Sequence, residues 1–83
     1  MNKDEIRNLL LRIVNEPDYR ALMIADPTQA LAQYGMLLDP KLIPPNGVQL
    51  PSNADITNNI DQFTNTLEAA GISHVHALFS LSP

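Results

Sequence analysis

The chain has 83 residues and a hydrophobic share of 45%, enough for one domain with one modest core and against wholesale disorder. Its net charge of -4 argues against nucleic acid and against an anionic membrane surface, since both are bound through Lys and Arg. Cysteine is absent, which removes disulfides, zinc thiolate sites and thiol nucleophiles.

Aromatic residues are scarce and Trp is missing, so the core must be aliphatic. No apolar run approaches the ~20 residues that span a bilayer. The start, Met1-Asn2-Lys3-Asp4-Glu5, is polar and partly acidic, unlike a secretory signal. A cytoplasmic location is the expectation.

Ile6, Leu9, Leu10, Ile13 and Val14 recur at helical spacing and predict a first helix with one apolar stripe. Asn2 and Glu5 stand in the positions of a capping box, and Pro17 limits the helix near Asn15 or Glu16. Pro17 then opens a short second helix, from Asp18 to about Ile24, with Tyr19, Leu22 and Met23 on its apolar face. Asp26-Pro27 starts a third, with Asp26 as N-cap, Pro27 in the first turn and Gln29 completing the box. Ala30, Leu31 and Tyr34 face inward, and Gly35 is the left-handed residue after the helix. Asp39-Pro40 repeats the start signal for a single turn through Ile43. Three prolines and Asn46-Gly47 within residues 44–51 then exclude regular helix, which predicts an ordered connection over 44–52.

A last helix is predicted from a cap near Asn53 or Asp55 to about Ala70, ended by Gly71. Its apolar stripe, Ile56, Ile60, Phe63 and Leu67, is narrow. It suits packing on one neighbour, in this domain or in a partner. Beyond Glu68 no side chain is charged. Val75, Ala77, Phe79 and Leu81 alternate as in a strand, and no hairpin mate is visible. The expected fold is all-α, a small bundle of short helices with an extended C-terminal tail. Its regions are a helical recognition region (1–43), a Pro-rich connection (44–52), a C-terminal helix (53–71) and the tail (72–83).

Catalytic groups are not evident. His74 and His76 would share one face of a strand and could chelate a metal. With no cysteine and no acidic residue within five positions, a structural or solvent-exposed role outweighs that, and no metal site is expected. Ser73, Ser80 and Ser82 lack a nucleophile elbow and an oriented base. Asp4 and Glu5 sit where the helix dipole already explains them. The chain is not expected to be an enzyme. Tyr19, Leu22, Met23, Leu31 and Tyr34 form a set that usually belongs to a core. Two or three short helices leave room for a mixed role, and with Ile56, Ile60, Phe63 and Leu67 they are the candidates for binding a partner.

One stretch carries a resemblance. Asp18-Tyr19-Arg20-Ala21-Leu22-Met23-Ile24-Ala25-Asp26-Pro27-Thr28-Gln29-Ala30-Leu31-Ala32-Gln33-Tyr34-Gly35 reads as Arg, a Leu-rich pair, Asp-Pro, Ala-Leu and Gly. It resembles the leader of nitrile-hydratase-like precursor peptides, and also the small helical alpha subunit of protocatechuate 4,5-dioxygenase, over roughly residues 4–43. The resemblance implies a ribosomally made precursor (a RiPP) whose helical leader docks on a modifying enzyme. The cysteine motif of a nitrile hydratase subunit is missing, and lanthionine or sulfur-heterocycle products would also need cysteine. The chain is most similar to a split borosin precursor, whose backbone nitrogens are methylated by a partner enzyme. That comparison implies a cytoplasmic complex with a methyltransferase and a cofactor, S-adenosylmethionine, on the partner, the chain carrying none of its own. His76, Ala77, Leu78, Phe79, Ser80 and Leu81 are the candidate substrate residues. Two alternatives stay open: a small non-catalytic subunit of a larger enzyme, like the dioxygenase alpha chain, and a plain dimerisation module using the Ile56–Leu67 stripe.

Overall fold

The computed structural model describes residues 2–82, the side chains of Ile72 and Ser73 excepted. Met1 and Pro83, the outer ends of the expected recognition region and tail, lie outside the described residues. The described elements are α1 (Lys3–Asn15), α2 (Pro17–Ala25), α3 (Pro27–Ala32), a 3-10 turn (Pro40–Leu42), α4 (Asn53–Asn58), α5 (Ile60–Ala70) and a 3-10 segment (Ile72–Ser80). The fold is a small all-α bundle.

Short polar side chains set most helix starts. The Asn2 side chain accepts from the Glu5 amide at 2.9 Å, and Asp26 accepts from the Gln29 amide at 3.3 Å. Asp39 accepts from the Lys41 amide at 2.9 Å and so closes the Pro40 turn. For α4 the cap is Ser52, one residue before the expected Asn53, and its hydroxyl accepts from the Asp55 amide at 3.1 Å. Gly71 follows α5 at φ 80, a conformation that side-chain-bearing residues rarely adopt.

The single helix expected over residues 53–70 is two. It breaks at Asn59 (φ -124, ψ 26), whose side-chain amide donates to the Asp55 carbonyl at 2.9 Å. Thr57, Asn58 and Asn59 are weak helix formers, and the Asn59 side chain competes locally for a backbone carbonyl.

α1 is central. It packs against α2, α4 and α5, and its Ile6, Leu9, Leu10 and Ile13 are buried. Around this stripe close Tyr19, Met23, Ala30, Leu31, Met36, Ile56, Phe63, Leu67, Val75 and Leu78. Each fully buried aliphatic side chain contributes roughly 1.5–3 kcal/mol, whereas helices of six to eleven residues are marginal by themselves. Polar ties fix the outer pieces. Arg20 donates to the Asn53 side chain and the Pro51 carbonyl, both at 2.9 Å, which joins α2 to the start of α4. Arg7 pairs with Asp61 and Lys3 with Glu68 across α1 and α5. Both pairs are solvent-exposed, a setting worth about 0–1 kcal/mol each.

The tail departs from the extended form that its alternation suggests. Residues 72–80 form 3-10 turns with a kink at His74 (φ -125, ψ 35), and the backbone becomes extended only at Leu81. The segment packs on α5. Its buried residues are Val75 and Leu78, three apart, which is the period of a 3-10 helix. Ala77, Phe79 and Leu81 are half-buried beside them. A lone strand would leave its backbone donors and acceptors without partners, whereas turns satisfy them locally.

Tyr19 joins three helices. Its ring lies under the Arg12 guanidinium at 4.0 Å, meets Tyr34 edge-on at 6.3 Å, and its hydroxyl donates to the Ala30 carbonyl at 2.6 Å. Burial, and secondarily the neighbouring Tyr34, push the phenol up to about 12 from its usual 10.0. The folded state thus favours the protonated phenol. That contribution is complete below pH 10 and is lost as pH rises through the folded value. Thermal melts are expected to fall in midpoint between pH 10 and about 12. In Tyr19→Phe that alkaline step disappears, with a loss of about 1–2 kcal/mol at neutral pH from the unpaired Ala30 carbonyl.

Candidate functional site

Among the described residues, no cluster of three or more His, Cys, Asp or Glu side chains has metal-binding proximity. The His74 and His76 rings lie 5.7 Å apart and tilted by 49°. They stand on a kinked turn, not on one face of a strand. His74 is exposed. His76 is half-buried, and its Nδ1 is buried with no hydrogen-bond partner among the described residues. The Ser80 hydroxyl donates to the Ala77 carbonyl at 3.3 Å and stays exposed, as does Ser82. The Ser73 side chain lies outside the described residues.

Shallow concavities are present among the described residues, and two of them are well defined. One, of about 390 Å³, lies between α1 and α5 and is lined by Lys3, Asp4, Arg7, Asp61, Thr64 and Asn65. Its Arg7 and Asp61 are paired with each other. The other, of about 240 Å³, is formed by Pro44, Pro45, Asn46, Gly47, Gln49 and Phe79, where the tail meets the proline-rich connection. Both are open to solvent and lack the apolar enclosure with converging polar groups typical of small-molecule sites.

Most of the expected partner-binding residues serve the interior. Tyr19, Met23, Leu31, Ile56, Phe63 and Leu67 are buried within this chain, and Leu22, Tyr34 and Ile60 are half-buried against the same core. The Ile56–Leu67 stripe is therefore covered by the chain itself. The expected substrate residues divide differently. Leu78 is fully buried, His76, Ala77, Phe79 and Leu81 are half-buried, and Ser80 is exposed.

Among the described residues, the most exposed large apolar side chain is Leu37, at 87%. It sits between buried Met36 and Leu38 in an irregular stretch after Gly35. Ile24 and Leu42 are exposed to a lesser degree. Residues 36–38 belong to no periodic element, so helical or strand periodicity does not single out Leu37. The available signal was three consecutive apolar residues in a non-helical segment, where alternation turns the middle one away from the core. Leu37→Asp is expected to keep the urea-unfolding free energy within about 0.5 kcal/mol of the parent, because no packing is lost.

No protein-family model matches this chain, and neither the curated proteins nor the solved structures include a match to it.

Proposed function

We propose that this chain is a precursor peptide, held through its helical body by a modifying enzyme that acts on the C-terminal tail. The best-fitting enzyme is an S-adenosylmethionine-dependent backbone N-methyltransferase. The observation that carries this reading is the contrast between body and tail. Capped helices and ion pairs use the polar groups of residues 2–71, whereas no side chain after Glu68 is charged. Backbone methylation moves a methyl group from a sulfonium to an amide nitrogen, which gives up its proton. It needs no particular side chain, only an uncharged segment that fits extended in an active site. Leu37, exposed beside the leader-like helices, is the apolar residue of the body best placed to be covered by a partner.

Burial of Val75 and Leu78 restricts this reading, since an amide inside the core cannot react. The substrate is then the tail after it leaves α5. The same burial favours a second reading: a small non-catalytic subunit of a larger enzyme, in which the tail belongs to the chain's own core.

Co-expression with a methyltransferase encoded beside this chain, followed by fragment mass spectrometry, separates the two. Under the precursor reading, fragments within residues 76–81 gain mass in whole methyl increments. Leu37→Asp lowers the modified fraction by about 10-fold, the loss of one interface anchor. An unmodified tail, together with constant one-to-one copurification with a large metal-dependent subunit, establishes the second reading instead.

A further inference from the structure

The tail is attached to the body in an unusual way. Among the described residues, no hydrogen bond or ion pair crosses between residues 72–80 and the rest of the chain beyond the turn at Gly71. The His74 amide donates to the Gly71 carbonyl at 3.1 Å, and the Ser80 hydroxyl bonds within the segment. What holds the tail is apolar packing, led by Leu78 at 0% and Val75 at 6% exposure.

One feature opposes that packing, and another leaves the joint free to turn. The docked tail buries the Nδ1 of His76 without a partner, although in water that nitrogen would be hydrogen-bonded. The chain also enters the tail through Gly71 at φ 80 and ψ 171. Nothing stands within 4 Å of where a Cβ would be, so the position demands glycine for its backbone angles and not for space. A single exposed glycine is therefore the joint between a polar-capped body and an apolar segment.

From this geometry we propose that residues 72–80 form a hinged latch, which swings off α5 as a unit about Gly71 while the α1-centred body stays folded. Release hydrates His76 and uncovers the α5 surface beneath Val75 and Leu78. Reclosure is led by the apolar contacts of Val75 and Leu78. The latch is a property of the free chain. It holds whether a partner modifies the tail or merely binds the body, and its test is separate from the test of either function.

Hydrogen exchange on the full-length free chain at neutral pH tests it. The amides of residues 74–80 are expected to exchange at least about 100-fold faster than the central amides of α1, with little dependence on denaturant, as local opening requires. His76→Leu keeps the apolar packing and removes the stranded nitrogen, so tail exchange slows by about 10-fold. Gly71→Ala penalises the docked angles, so tail exchange quickens while α1 protection is unchanged. Equal protection and equal denaturant slopes in tail and α1 would overturn the latch, because the tail would then open only with the whole fold. So would Gly71→Ala accelerating exchange in α1 and tail alike.

Discussion

Burial of one stripe on α1 organises the molecule. Ile6, Leu9, Leu10 and Ile13 are removed from water by helices too short to persist by themselves. α2, α4 and α5 each pack against α1, and α3 reaches the core through α2. The helices exist because the stripe gives them a surface to close over, and the stripe is buried because they are there. That mutual dependence makes the body one cooperative unit.

Polar interactions decide where the chain turns and leave the energetics to packing. Asn2, Asp26, Asp39 and Ser52 stop or start elements by satisfying amides that a helix leaves unpaired. Four of the five cations have internal partners: Lys3 with Glu68, Arg7 with Asp61, Arg12 with Glu16, and Arg20 with Asn53 and the Pro51 carbonyl. What the body presents outward is an acidic surplus and isolated apolar side chains such as Leu37. A surface of that kind suits a protein partner better than a polyanion.

The tail follows a different rule. Among the described residues it has no ion pair and no polar tie to the body beyond Gly71, so its docking balances apolar burial against an imidazole nitrogen without a described partner and the ordering of nine residues. A segment held that way competes with any partner offering it a comparable apolar surface. The precursor and subunit readings differ at this point, because one uses the segment after release and the other uses it in place.

Local chemistry made much of this legible in advance. Asn2, Asp26-Pro27, Asp39-Pro40 and the glycines at 35 and 71 mark their boundaries through backbone angles and unpaired amides that depend on near neighbours alone. The α1 stripe was equally plain, because its period matches the helix it forms. Other features required the assembled molecule. The break at Asn59 leaves α4 and α5 as two helices that each pack against α1. Tyr19 and Phe63 could serve a core or a partner, and only closure of the bundle made them interior. Leu37 faces outward because its neighbours Met36 and Leu38 both turn in. The tail shows the limit most clearly. Alternation from Val75 to Leu81 describes a strand, but a strand needs a second strand to bond with. With only a helix face available, spacing of three won over spacing of two, because turns satisfy their own backbone while Val75 and Leu78 reach the core.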